Sequence, residues 1–162
     1  MYKIKFKLNK FFTLAKCKIS YGKRFKHGKI NFRRNFFLLI EKKGNVIIGN
    51  NCFFNNDCSI NCLEKISIGD DCIIGENVKI YDHNHKFNGI GSFKDQGFSS
   101  KPVSIGNNVW IGSNCVILAG TEIGDNCVIS AGVTLSGKIE SGTIVKRSRD
   151  IYYQEAINGG EK

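Results

Sequence analysis

The dominant hydrophobic pattern in this chain repeats every six residues and is clearest over Val103–Lys138. There Ile105, Ile111, Ile117, Ile123, Ile129 and Leu135 hold one phase. Val109, Cys115, Thr121, Cys127 and Val133 hold a second phase, four places later. A period of six is neither the 3.6 of a helix nor the 2 of a half-buried strand. It marks an internal repeat, and a repeat outranks every local signal. Six residues suffice for one short strand and a corner. Three such units close a triangular coil of about eighteen residues, and coils stack with like residues over like. The spacing therefore predicts an all-β parallel β-helix.

The same pattern opens at Val46, with Ile48, Phe54, Ile60, Ile68, Ile74 and Ile80 at the inward phase and two extra residues, Glu64 and Lys65, in its middle. Gly49, Gly69 and Gly75, each followed by Asn, Asp or Glu, are expected to form corners with positive φ or tight turns. Register then breaks over Asn84–Pro102 and resumes at Val103. An insertion between two good coils must leave the stack as a protruding loop, and long loops in compact repeats are usually functional or disordered. Asp82, His83, Asn84 and His85 stand at its root and include two of the three histidines.

The ends read less clearly. The alternation in MYKIKFKLNKFF suits an edge strand, whereas Phe11, Phe12, Leu14 and Ala15 suit a short amphipathic helix lying on the first coil or on a membrane surface. Lys18–Asn45 carries loosely spaced apolar residues and is expected to form irregular opening coils. The organisation expected is a basic N-terminal cap with irregular coils over 1–45, a repeat body over 46–145 with the loop 84–102, and a C-terminal cap or tail over 146–162. In that tail Asp150–Asn158 would close the stack as a helix or an extended segment.

Composition sharpens this picture. The chain has 162 residues, 18 Gly and 1 Pro, and it is 41% hydrophobic and 23% charged. That suits one ordered domain turning on Gly, Asn and Asp. No apolar run approaches about 20 residues, so no spanning helix is expected. Lys residues interrupt every apolar stretch of Met1–Ile19, so no secretory signal is read. Charge is uneven. Residues 1–40 hold twelve Lys and Arg and no Asp or Glu, and the remainder holds twelve bases and fourteen acids. Such an arm is either a solvated segment or one drawn to anionic lipid or acidic glycan. No nucleic-acid reader motif accompanies it. Cys52, Cys58, Cys72, Cys115 and Cys127 all fall at the small inward phase, where a free thiol packs as a small hydrophobe. No C-x-x-C occurs, so zinc spacing is absent. Unpaired thiols favour a reducing compartment, hence the cytoplasm, with the basic N-terminus as the candidate contact to the inner face of the membrane.

The repeat, the histidine-bearing loop and the VSIGNNVWIGSN that follows resemble the hexapeptide-repeat acyltransferases over about Val46–Thr143. The likeness is to the branch containing galactoside, maltose and streptogramin acetyltransferases and bacterial polysaccharide or sialic acid O-acetyltransferases. The resemblance implies a left-handed helix, a homotrimer, acetyl-CoA as co-substrate without a metal, and a site between neighbouring subunits. It implies His85 as general base toward an acceptor hydroxyl, a task for which imidazole titrates in the right range. His83 is the alternative base or a neighbouring contact, and Asp82 orients an imidazole or turns the chain. Trp110 would line the CoA arm or the acceptor pocket, Ser113 would offer its backbone N–H to the thioester carbonyl or the pantetheine arm, and Ala131, Ser136 and Gly137 would contact the pantetheine or CoA. Asn55 and Asn84 would meet the acceptor. Relatives of this type close on a motif like G-N-P-A-K, whereas this chain reads TIVKRSRDIYY. Lys146, Arg147 and Arg149 stand where charge could hold the CoA phosphates.

The function expected is an acetyl-CoA-dependent O-acetyltransferase acting on a sugar hydroxyl of a bacterial surface polysaccharide (capsule, lipopolysaccharide or sialic acid). A carbohydrate acceptor that is acidic or lipid-linked would suit the basic arm. One alternative is an acetyltransferase of another small hydroxyl acceptor, xenobiotic or serine-like. A second is a non-catalytic β-helical scaffold, which would need a flat repeated face and no histidine loop. A metal-dependent hydratase of the carbonic-anhydrase type would need three converging His, and His27 lies far from the loop pair in sequence.

Overall fold

The structure, a computed structural model, describes residues 2–41 and 43–146, with side chains from residue 12 onward. The expected closing segment Asp150–Asn158, with Arg147 and Arg149, lies outside the described residues. The chain is a left-handed parallel β-helix of about six coils. The first coil holds β1 (Phe25–His27), β2 (Ile30–Phe32) and β3 (Phe37–Ile40), and the second β4 (Asn45–Ile48), β5 (Cys52–Phe54) and β6 (Ser59–Cys62). The third holds β7 (Lys65–Ile68), β8 (Ile73–Ile74) and β9 (Lys79–Tyr81). The chain then leaves the stack as a hairpin, β10 (His83–His85) and β11 (Phe98–Ser100). The fourth coil is β12 (Val103–Ile105), β13 (Trp110–Ile111) and β14 (Val116–Ile117). The fifth is β15 (Glu122–Ile123), β16 (Val128–Ile129) and β17 (Thr134–Leu135), and β18 (Lys138–Ile139) with β19 (Ile144–Val145) begins the sixth.

Strands at equal positions in successive coils pair in parallel and build three sheets of six, six and five strands. The first sheet contains β1, β4, β7, β12, β15 and β18, the second contains β2, β5, β8, β13, β16 and β19, and the third contains β3, β6, β9, β14 and β17. The three sheets form the faces of a prism. Register is kept across the hairpin, with Val103 beside Ile66 and Ile105 beside Ile68. The hexad residues point inward: Ile48, Phe54, Ile60, Ile74, Ile111, Ile117 and Ile129 are each 0–1% exposed.

The second inward phase does more than fill space. Cys58 Sγ donates to Gly75 O at 3.0 Å, Cys72 to Gly106 O at 3.2 Å, Cys115 to Ser130 O at 3.1 Å and Cys127 to Glu140 O at 3.2 Å. Thr121 Oγ1 does the same to Leu135 O at 3.1 Å. Each of these four cysteines therefore satisfies a corner carbonyl of the next coil that has no backbone donor among the described residues, whereas Thr121 adds a second bond to a carbonyl that already accepts the Leu118 N–H. Burial pushes the Cys58 and Cys115 thiols up, which keeps them protonated donors.

The corners depart from the expectation in detail. Gly49, Gly69 and Gly75 do not adopt positive φ; that conformation falls two residues later, on Asn51, Asp71 and Asn77. These polar residues tolerate it and join into side-chain ladders, as where Asn77 Nδ2 donates to Asn114 Oδ1 at 2.9 Å. Glycine is required for a different reason. A Cβ on Gly75 would sit 2.6 Å from the Ser113 nitrogen of the next coil, closer than any real contact. Coils separated by about 4.8 Å leave no room for a side chain there.

The N-terminal residues are more regular than their spacing predicts. Lys18–Asn45 includes a complete first coil, in register with the second through pairs such as Ile30 with Cys52 and Ile40 with Cys62. Its apolar positions are bulkier (Phe25, Phe32, Phe36), which disguises the hexad. Before it, α1 (Tyr2–Tyr21) is a helix of 20 residues, so the edge-strand alternative fails and the helical one holds. Cys17 is buried, Leu14 and Tyr21 pack on the core, and Tyr21 Oη donates to Leu38 O at 2.9 Å, so α1 is attached to the first coil. Among the described residues no helix is long and apolar enough to cross a membrane.

Gly75→Ala is expected to lower stability by about 2–3 kcal/mol, because the clash is with backbone. Asn77→Gly should stay within about 1 kcal/mol of the parent, since it relieves positive φ while losing one exposed bond. Thermal unfolding of the two variants checks this, and equal losses would refute the close-approach account.

Candidate active site

The third corner of the prism, between the third sheet and the first sheet of the next coil, is where the hairpin departs. Its root is built around Asp82, a carboxylate with 0% exposure. Its Oδ1 accepts the N–H of Leu63 at 2.7 Å, and its Oδ2 accepts those of Glu64 at 2.7 Å and Lys65 at 2.8 Å. The two extra residues of the third coil are thus held by a side chain from the coil's end. Cys62 Sγ adds a donor at 3.3 Å. Burial opposes ionisation of Asp82. The N–H groups of Leu63 and Glu64, the His83 ring and the Cys62 thiol outweigh it, and the pKa lies below the ordinary carboxylate value. The reverse holds for Cys62, whose thiol is pushed up to about 12 by burial and then by the Asp82 charge.

One interaction of Asp82 faces outward. His83 Nδ1 lies 2.9 Å from Asp82 Oδ1, and the His83 side chain is 19% exposed. The carboxylate fixes the ring's orientation and leaves Nε2 as the nitrogen available to a ligand. His85, two residues along β10, is exposed and packs its ring on Phe98 at 4.3 Å between centroids; Phe98 also meets the edge of His83 at 5.4 Å. Among the described residues no hydrogen bond reaches a His85 ring nitrogen. Asn84 turns its Oδ1 back to the His85 N–H at 3.0 Å. Beyond the root the loop is a clasped hairpin, with Gln96 Oε1 accepting the Gly89 N–H at 2.8 Å. Phe87, Ile90 and Phe93 are exposed near its tip. His27 sits on β1 with Nδ1 against Gly28 O and does not join the pair.

The other candidate residues fall elsewhere. Asn55, Ser113, Ala131 and Lys146 all follow strands of the second sheet, so they share the second corner of the prism in successive coils. Among the described residues the backbone N–H groups of Ser113 and Ala131 donate to nothing, although Ser113 O and Oγ both accept bonds. Asn55 Oδ1 accepts the N–H of Asn56 at 2.9 Å, a corner-forming role. Trp110 projects from the second sheet and is 55% exposed, in register with Ile73 and Val128. Ser136 and Gly137 stand on the third corner, two coils beyond the hairpin. Within one chain the histidines and the second-corner column are therefore separated by a whole face, six residues or about 20 Å. The structure does not bring the candidate residues together in a single subunit.

Two stretches match known families: residues 102–137 match the bacterial transferase hexapeptide family (six repeats), and 45–81 match the hexapeptide repeat of succinyl-transferase. The chain is 33% identical over 137 residues to the putative lipopolysaccharide biosynthesis O-acetyl transferase WbbJ of Escherichia coli K12, covering 73% of this chain and 67% of that one.

The chain belongs to the hexapeptide-repeat acyltransferase family.

A solved galactoside acetyltransferase in complex with coenzyme A superposes on this acyltransferase with TM-score 0.60 and 28% identity, over 81% of this chain and 65% of that one. A hexapeptide-repeat acetyltransferase of Vibrio cholerae, solved with acetyl coenzyme A, shares the fold at TM-score 0.65 and 24% identity, over 80% and 70% of the two chains. Against several other curated relatives this acyltransferase spans less than half of their length.

Asp82 shows why sequence reasoning was incomplete here. Glu64 and Lys65 lie 18 and 17 residues before Asp82, the acid preceding the first histidine of the loop, and nothing local says that one caps the other. Asp82→Asn would set an N–H against backbone donors, with an expected cost of about 3 kcal/mol at neutral pH. Because folding lowers the Asp82 pKa, its contribution is complete above the unfolded value of about 3.9 and fades as pH falls through the folded value. Urea midpoints of parent and variant should therefore differ most above about pH 5 and converge in acid. A gap independent of pH would exclude the ionised cap.

Proposed function

We propose that this acyltransferase moves an acetyl group from acetyl-CoA to a hydroxyl of a sugar belonging to a bacterial surface polysaccharide. The observation that carries the chemistry is the Asp82–His83 pair at the hairpin root. Asp82 holds the Nδ1 side, and His83 Nε2 takes the proton of the acceptor hydroxyl as its oxygen attacks the thioester carbonyl. A C–O bond forms, the carbonyl becomes a tetrahedral oxyanion, and its collapse breaks the C–S bond. The proton held by His83 passes to the departing thiolate. A backbone N–H held in place by the coils is the donor such an oxyanion needs, and Ser113 is the candidate. Between the two histidines the geometry favours His83. The resemblance points to His85, but that ring has only an aromatic neighbour, whereas His83 has a fixed carboxylate.

The donor site fits the second corner, where Ser113 and Ala131 keep N–H groups available and Lys146 adds charge. Since that corner and the histidines are a face apart, one complete site needs residues from two copies. This supports a homotrimer with sites between subunits. The outward ladder Ile73, Trp110 and Ile144, 52–61% exposed, is an apolar surface of the kind that a neighbour covers. Seven unpaired cysteines are all buried, consistent with action in the cytoplasm, and the basic helix α1 is the candidate contact with the inner membrane face.

His83→Ala is expected to reduce kcat about a hundredfold to ten-thousandfold, and His85→Ala by less than tenfold or so. Acetyl transfer from acetyl-CoA to a panel of hexoses, sialic acids and oligosaccharides reads both; the opposite ranking would return the base to His85. Mixing inactive His83→Ala with an inactive Ser113→Trp chain, then refolding together, should restore about a quarter of the parent activity through hybrid sites. No recovery in mixed trimers would place the whole site in one subunit.

A further inference from the structure

Beside the hairpin root lies a recess of about 390 Å³ that no candidate residue so far occupies. Lys23 reaches it from the turn after α1, Lys26 from β1 and Lys65 from the start of β7; Asn45, Glu64 and Pro102 complete the wall. Lys23 and Lys26 come from one short segment and Lys65 from a strand two coils on, and the stacking of β1, β4 and β7 brings all three to the lining of one recess. Among the described residues none of them has a carboxylate within ion-pair distance. Glu64 is the single acid on the wall. Arg24, also in the wall, is committed to structure through its Nη1 bonds to Ile40 O and Glu41 O. Three ammonium groups facing one carboxylate leave the wall net positive, and a recess of that sign attracts an anion.

The recess is continuous with the reaction corner. Glu64 and Lys65 donate their N–H groups to Asp82. Pro102 stands two residues after the hairpin strand β11, whose Ser100 pairs with His83. Glu64 is shared with a second hollow, lined also by Glu41, Lys43, Leu63 and Ser100.

We propose that this recess binds the negative charge of the acceptor: the sugar that receives the acyl group carries a phosphate or carboxylate, which Lys23, Lys26 and Lys65 hold while a hydroxyl is presented to His83. This rests on the reading of the hairpin root as the reaction centre. Ammonium groups serve such a ligand as point charges, so affinity depends steeply on salt.

The test uses the full chain and the variant Lys23→Gln/Lys26→Gln/Lys65→Gln, with Lys65→Gln alone as a milder second variant and circular dichroism as the folding check. Isothermal titration with inorganic pyrophosphate and, separately, with glucuronate distinguishes the two anion sources. The parent should bind one of them, about tenfold more weakly in high salt and about tenfold more weakly in the triple variant, with coenzyme A affinity unchanged. Equal binding by parent and variant, or binding of neither anion, overturns the proposal. A matching loss of coenzyme A affinity also overturns it, because the recess would then serve the donor. Titration needs no turnover: lysine-dependent anion binding in a chain that transfers no acetyl group would sink the acyltransfer reading and leave the recess standing.

Discussion

Like-on-like stacking of coils about 4.8 Å apart is the constraint on which the rest of this structure depends. It requires an inward aliphatic residue at every sixth position and bars a Cβ where Gly75 passes Ser113. It leaves a corner carbonyl in each coil that a small donor must satisfy. Cysteine meets that last requirement as well as threonine does, which explains why a chain without disulfides keeps thiols in its core. The positive-φ corners complete the set, with asparagine and aspartate laddered through their side chains.

Stacking of this strictness makes any excursion costly unless the chain returns in register. The hairpin meets the condition through Asp82, which ties the end of the third coil to its own beginning, and through the Lys101 N–H, which returns to Asp82 O at 2.8 Å. One carboxylate therefore locks the departure point and orients His83.

The prism also sets the candidate site residues on separate corners of one coil stack. The histidine corner, the second-corner amides and the apolar ladder with Trp110 face different directions. The basic recess lies beside the histidine corner of the same chain, through Glu64 and Lys65, which both donate their N–H groups to Asp82.

How much of this was legible in the residues follows from the range of each interaction. The hexad is a local period, so Ile48 through Leu135 declared the β-helix, and the five phased cysteines declared themselves as core. The break at Asn84–Pro102 marked the excursion and its histidines. The first coil was hidden because Phe25, Phe32 and Phe36 replace the usual aliphatics, and α1 because alternating Lys suits a strand as well as a helix. What only the tertiary structure decided was contact across coils. The cap of Asp82 on Leu63, Glu64 and Lys65 and the approach of Lys65 to Lys23 and Lys26 join residues 17 or more positions apart. A six-residue period specifies which way a side chain points, whereas its neighbour one coil away is set by the length of the coil between them.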